Sequence, residues 1–393
     1  MDILKESLAL AEYTTAIRRH LHENPELSGR EFNTIKLICS ELDQIGIDYV
    51  NIPDGGVLAT IDGPVPGKTV LLRADCDALP IQELPNNAKQ PKVCVSKVDG
   101  VAHMCGHDGH TAMLLSAAKI LKANQDQIKG RVYLLFERGE EGSGNIYWVF
   151  KYFEEHGIKI DASFAEHTDT GLTPGHVACQ AGPAHAGAVG YQIKITGKGG
   201  HGSVPHTAKD PIKPACELVL KLASLPSNAI DAQDPIVFST CSIVAGTAAN
   251  IIPDTAKIMG TVRYFNKDLT QPIFDWLENI SECVCKSYGV EREMDYMFDP
   301  MIPVVNDPYA TKIAQQVATE MGMEIFTEGK GMGSDDMAIV LDSFPGFYVN
   351  LGCANEAKGF PHVANHNSCF DIDEDALAYG TEFLMKSAFE LLK

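Results

Sequence analysis

AHMCGHDGHTAM, residues 102–113, crowds a thiol, an acid and three imidazoles around two glycines: His103, Cys105, His107, Asp108 and His110, with Gly106 and Gly109 between them. The apolar run TAMLLSAAKIL, 111–121, follows at once and predicts a helix. A packed core gains little from such a mixture, because each buried polar group must find a partner. A metal site uses it, since thiolate, imidazole and carboxylate are the ligands of zinc and similar transition ions. Taken singly, each residue has a plainer reading. His103 and His110 fit core or supporting positions that pair with backbone. Cys105 alone fits a small buried hydrophobe.

Outward from this stretch, short β-rich runs alternate with helical periodicity. GVLATIDG (56–63), TVLLRAD (69–75), RVYLLFE (131–137) and ASFAEH (162–167) read as strands. Residues 3–22, 30–44, 110–123 and 145–155 read as helices, with HENPELSG as the break between the first two. The pattern predicts an α/β fold with a mixed, largely parallel sheet covered by helices. Near residue 187 the character changes. VGYQIKITG (189–197), a helix at 208–224, PIVFSTCSIVAG (235–246), AKIMGTVRYF (256–265), a helix at 269–288 and REMDYMF (292–298) follow one another. That order, β-α-β-β-α-β, is ferredoxin-like. A helix at 308–322, the strand FYVNLG (347–352) and a helix at 373–392 restore the first pattern. The predicted organisation is a catalytic domain in two parts, 1–186 and 299–393, with a smaller domain inserted at 187–298.

Bulk properties narrow the partners. A chain of 393 residues exceeds the size at which one core usually divides. With 32 Lys and Arg against 52 Asp and Glu, the formal net charge of −20 argues against nucleic acid and anionic membranes. No cationic start leads into an apolar core, and no run of about 18 apolar residues occurs, so neither a signal peptide nor a membrane span is expected. The 11 cysteines are scattered without framework spacing or a C-x-x-C pair. They point to free thiols in a reducing, cytoplasmic setting.

Several strands run out into ligands or acids. TVLLRADCDALP reaches Asp75 and Asp77, RVYLLFERGEE reaches Glu140 and Glu141, and ASFAEH ends on His167. In open α/β sheets the carboxyl ends of the strands face the binding crevice, so these segments can converge on residues 102–113. NHNSCFD offers His366 just before the last helix. Adjacent acids suit metal-assisted hydrolysis, one holding an ion while its neighbour takes a proton from the attacking water.

RRHLHENPELSGREFNT, LLRADCDALPIQE, HMCGHDGHTAMLL, EEGSGN, GKGGHGSVPH, DPI, NIIPDTAKIMGTVRYF, GSDDMA and HNSCFDIDEDAL occur in that order over nearly the whole chain. Together they resemble the amidohydrolase–aminoacylase–carboxypeptidase family of co-catalytic metallopeptidases. Within it they are most similar to the branch of N-acyl amino acid amidohydrolases, which includes hippurate hydrolases, auxin-conjugate hydrolases, N-acetyldiaminopimelate deacetylases and aminobenzoyl-glutamate hydrolases. The resemblance implies two divalent metal ions per subunit: zinc, or manganese, cobalt or nickel. Cys105 takes the position shared by both ions, where a carboxylate sits in other branches. His107 and His167 would complete one shell and Glu141 and His366 the other, with the division between ions left open. Glu140 takes the general-base position, and Asp75 and Asp77 are supporting acids. The inserted domain becomes a lid and dimerisation domain, sending His201 into the partner's site of a homodimer. Asn250 and Arg263 lie where that lid meets the substrate carboxylate, although Arg263 fits a structural role on its strand equally well. The implied activity is cleavage of the amide bond of a small N-acyl amino acid. A dipeptidase or aminopeptidase of the same family is the alternative. The intact ligand set argues against a non-catalytic binding protein. Departures from the family pattern are Glu137-Arg138-Gly139 for Gln-Pro-Ala, Asp335 for glutamate, and Ser368 and Cys369 where a proline is frequent. They bear on the substrate rather than on the reaction.

Overall fold

Val70, Leu71 and Leu72, and likewise Val132, Leu134, Leu135 and Phe136, are buried without the alternation of a one-sided sheet. Such continuous apolar runs mark strands covered on both faces. The computed structural model describes residues 3–142 and 144–393. Ser143 of the EEGSGN motif lies outside the described residues. In chain order the main elements are α1 (Ile3–Ala9), α2 (Ala11–Glu23), α3 (Phe32–Ile45), β1 (Asp48–Ile52), β2 (Gly56–Asp62), β3 (Val65–Asp75), α4 (His107–Ala123), β4 (Lys129–Glu137), α5 (Ile146–His156), β5 (Ala162–Asp169) and β6 (His176–Ala178). There follow β7 (Gly187–Thr196), α6 (Ile212–Ala229), β8 (Ile236–Ala245), β9 (Thr255–Tyr264), α7 (Thr270–Tyr288), β10 (Glu291–Tyr296), α8 (Pro308–Glu320), β11 (Glu324–Phe326), β12 (Gly346–Gly352) and α9 (Ala376–Leu391).

Two compact units result: Met1–Ala184 with Val305–Gly329 and Ile339–Lys393, and His185–Val304 with Lys330–Ala338. The first carries an eight-stranded sheet in the order β1-β2-β4-β3-β5-β12-β6-β11. Its central strands β4, β3, β5 and β12 run parallel, while β1, β2 and the β12–β6 pair add antiparallel contacts. The sheet is therefore mixed and largely parallel at its centre, as the sequence predicts. Helix α4 packs against β3, α2 and α9 and is buried around nearly its whole circumference. It begins at His107 rather than at 110, because Gly106 adopts the left-handed conformation at φ 92. A Cβ there would come within 2.0 Å of Thr168 Oγ1, so only glycine permits this entry. The helix expected over 3–22 is interrupted at Leu10, where ψ is 0 and the chain turns from α1 into α2.

The second unit holds a four-stranded antiparallel sheet in the order β8-β9-β7-β10. Strand β9 alternates buried and half-buried residues, turning one face toward α6 and α7. Ile193, Ile195, Leu218, Ile258 and Leu277 form its core. Lys330–Ala338 belongs with this unit through a backbone tie, Ala186 N–H to the Gly331 carbonyl at 3.0 Å. The 11 cysteines are all free, six of them buried. Among the described residues no helix is long and apolar enough to cross a membrane.

Strand β5 carries one discordant residue. Glu166 is buried, and neither carboxylate oxygen has a hydrogen-bond partner among the described residues. Burial alone pushes its pKa up to about 8. The folded chain then keeps a proton that the unfolded chain loses above about pH 4.5, so stability falls as pH rises through that interval and levels off above about pH 8. Glu166→Met should therefore raise the melting temperature of the metal-free protein. The gain should widen from about pH 5 to about pH 8 and reach a few kcal/mol, at about 1.4 kcal/mol per unit. A gain independent of pH in thermal melts would contradict this account.

Candidate metal centre

The parallel strands point their carboxyl ends one way, and the polar residues of the first unit gather there. Asp75 closes β3 opposite Glu137 of β4, and His167 lies near the end of β5. The N-terminus of α4 brings His107 to the same place. Asp77, just past β3, accepts from both directions. Its Oδ1 faces His107 Nδ1 at 3.0 Å, and its Oδ2 accepts the Glu141 N–H at 2.9 Å. His167 Nδ1 meets its neighbour's carbonyl, that of Thr168, at 2.8 Å. The outer nitrogens of both rings are thus engaged and their Nε2 atoms remain for another task. His167 Nε2 lies 3.4 Å from Cys105 Sγ, and His366 Nε2 lies 3.1 Å from Glu141 Oε1.

Two of the candidate donor groups share a residue. The ligand atoms of Cys105, His107 and His167 lie within 4.8 Å of one another, and so do those of Cys105, Glu141 and His366. Cys105 belongs to both. His107, Glu140 and Glu141 form a further group at the same limit, placing the adjacent acid beside the ligands. The residues fit divalent ions on two counts. Among the described residues, buried His107 Nε2 has no hydrogen-bond partner, a costly state that a cation would relieve. The donors are one sulfur, three imidazoles and a carboxylate, a set that suits zinc and its neighbours.

Electrostatics agree. Burial lowers the His107 pKa, but Asp75, Asp77 and Cys105 outweigh it and hold the ring well above its ordinary value. Hydrogen bonding to Cys105 and then Glu141 pushes His366 up to about 10. His167 goes the other way, driven well down by burial and by His110. Burial raises the pKa of Asp75, yet His107, Arg73 and His110 bring it well below the usual carboxylate range.

The structure brings together Cys105, His107, Glu140, Glu141, His167 and His366, with Asp75 and Asp77 supporting them. His110 is hydrogen-bonded at both nitrogens: its Nδ1 meets Asp75 Oδ1 at 2.6 Å, and its Nε2 accepts the Thr168 N–H at 2.9 Å. His103 is a core residue whose pKa burial brings down to about 4. Asp108 faces away from the donors, paired with Arg18 at 2.7 Å and His22 at 2.8 Å. In the second unit, exposed His201 pairs with Ile251, and the next N–H, that of Gly202, reaches the Asn250 carbonyl at 2.8 Å, so His201 and Asn250 lie on adjoining segments. Arg263 sits on β9 and donates to Thr261 Oγ1 at 2.9 Å. Glu137 and Arg138, which depart from the family pattern, form buried ion pairs with Arg73 at 2.6 Å and Glu31 at 2.8 Å. Two participants have no sequence signal. Thr168 holds His110, and Asn365 Nδ2 donates to Cys105 Sγ at 3.5 Å.

A mixed sheet carrying such a centre at its carboxyl end defines a hydrolase of the metallopeptidase and amidohydrolase kind. The model of peptidase family M20/M25/M40 matches residues 71–390, and the chain belongs to that family. It is 37% identical over 376 residues to thermostable carboxypeptidase 2 of Saccharolobus solfataricus, covering 94% of this chain and 93% of the relative. It is 33% identical to an N-acetylcysteine deacetylase of Bacillus subtilis, covering 96% of each. Among solved structures, the Bacillus subtilis YXEP protein, described as a dinuclear metal binding peptidase from the M20 family, superposes with a TM-score of 0.81 at 30% identity. That match covers 98% of this chain and 99% of the other.

Cys105→Ser should lose divalent metal on dialysis, because a neutral hydroxyl replaces a thiolate shared by both donor groups. Elemental analysis reads this directly. Undiminished metal in the variant would remove Cys105 from the centre.

Proposed function

We propose that the protein hydrolyses the amide bond of N-acyl amino acids, using two divalent ions held by Cys105, His107, Glu141, His167 and His366. The observation that carries this reading is the pair of three-residue donor groups sharing Cys105, with Glu140 beside Glu141 and His107. Zinc, manganese, cobalt or nickel would suit these donors. Such ions, when bound, supply Lewis-acid activation of water and of the scissile carbonyl. The chain's own residues do the rest. Glu140 takes a proton from the attacking water and later delivers it to the leaving amine, so water adds across the C–N bond to give an acid and an amino acid. Asp77 keeps His107 and Glu141 in register through its two hydrogen bonds. Asp75 fixes His110, whose ring packs edge-on against His167 at 4.5 Å between centroids.

The relatives' names support the choice of bond. A carboxypeptidase and an N-acetylcysteine deacetylase both release an amino acid from an acyl or peptidyl group on its amine. A dipeptidase would instead have to hold a free substrate α-amine. Rates on N-acetyl, N-benzoyl and unblocked dipeptide substrates separate the two, and dominant turnover of unblocked dipeptides would overturn the proposal.

Glu140→Gln should lower kcat at least about a hundredfold while leaving metal content near wild type. A variant retaining more than about a tenth of the rate would exclude Glu140 as the base.

The same proposal makes the protein a homodimer through the second unit. Strand β8 is an edge of its sheet and exposes Val237, Ile243 and Val244, a surface suited to isologous pairing. His201 then acts in the partner's site to stabilise the oxyanion, and Asn250, with Arg263 where it is not structural, holds the substrate carboxylate. Mixing inactive His201→Ala and Glu140→Ala chains under subunit exchange should restore about a quarter of wild-type activity, since about half the dimers are mixed and each has one intact site. No recovery, with exchange verified by mass, would place His201 in its own chain's site or outside catalysis.

A further inference from the structure

Asn365 precedes His366 on the loop that leads toward α9. Its side chain donates to Cys105 Sγ at 3.5 Å, and the His366 backbone N–H donates to the Met104 carbonyl at 2.7 Å. Donors on adjacent residues thus meet acceptors on adjacent residues, and the 104–105 and 365–366 segments are clipped together. His366 itself sits at φ 63, a left-handed conformation that non-glycine residues adopt at a cost. The side-chain bond ends on the one sulfur of the donor set.

A thiolate is the most strongly donating ligand in the set, and at a shared position it would feed charge to both cations. An N–H bonded to sulfur takes up part of that charge, a known lever by which surrounding hydrogen bonds tune metal–sulfur centres. We propose that Asn365 is a positioning residue whose N–H···S bond to Cys105 limits the donation of that thiolate, keeping the bound ions acidic enough for hydrolysis. The inference rests on reading Cys105 as the shared ligand. It concerns a residue whose partner lies 260 positions away in the chain.

Asn365→Leu removes the donor while keeping a side chain of similar size. Asn365→Ala also lacks the donor and gives the same reading if leucine does not fit the loop. Each variant and the wild type are loaded with Co(II), and the thiolate-to-cobalt charge-transfer band is recorded in the near ultraviolet without substrate. The variants should bind as much cobalt as wild type, with the band moved to longer wavelength. Turnover should fall about tenfold through kcat rather than KM, and the acidic limb of the kcat profile should move to higher pH. A band at the wild-type position in both variants overturns the proposal. So does loss of cobalt from both, which would make Asn365 a part of the loop framework alone. A wild-type protein that binds cobalt but shows no thiolate band would instead overturn Cys105 as a ligand, so failure of the inference and failure of the reading beneath it give different spectra.

Discussion

One carboxylate, Asp77, accepts from the ring of His107 and from the backbone of Glu141, and the rest of the centre depends on that double contact. The first residue opens a helix and the second follows a strand, so neither element by itself fixes the other's position. Asp77 is buried and sits just past the end of β3. Its bond to Nδ1 of His107 turns the opposite nitrogen toward Cys105 and His167. Its bond to the Glu141 N–H sets the turn that presents Glu140 and Glu141. The parallel sheet supplies the place, and Asp77 supplies the alignment.

The centre is also an electrostatic problem that a cation solves. Cys105, Glu140 and Glu141 gather above Asp75 and Asp77, and the opposing side chains are mainly imidazoles. The acids and the thiol beside them hold His107 and His366 above their ordinary pKa. Buried charge of one sign requires compensation of the other. Divalent cations held by these donor atoms would provide it.

The conspicuous part of this arrangement is legible in the sequence. Asp75, Asp77, Glu140, Glu141 and His167 stand at the ends of apolar runs, and parallel strands bring such ends to one side of a sheet. His107 and Cys105 stand out because thiol and imidazole are rare together before a helix. Thr168 and Asn365 do not stand out. Their residue types are common in loops, and their roles arise only when distant segments meet. The start of α4 is missed by three residues because apolar periodicity begins after the polar turn that Gly106 makes possible. Strand β1, DYVNI, is mostly exposed and carries no periodic signal. The attachment of Lys330–Ala338 to the second unit runs through contacts such as the Ala186 N–H to Gly331 carbonyl bond and Lys330 over the Phe265 ring, which no sequence pattern announces.

On the proposed reading, Cys105, His107, Glu141, His167 and His366 would hold two ions and share the Cys105 sulfur. Anomalous diffraction from crystals of the metal-loaded protein, collected at the absorption edge of the bound metal, tests it most directly. The account predicts two peaks about 3.5–4 Å apart, both within bonding distance of Cys105 Sγ. A single peak, or two peaks that do not share that sulfur, would contradict it.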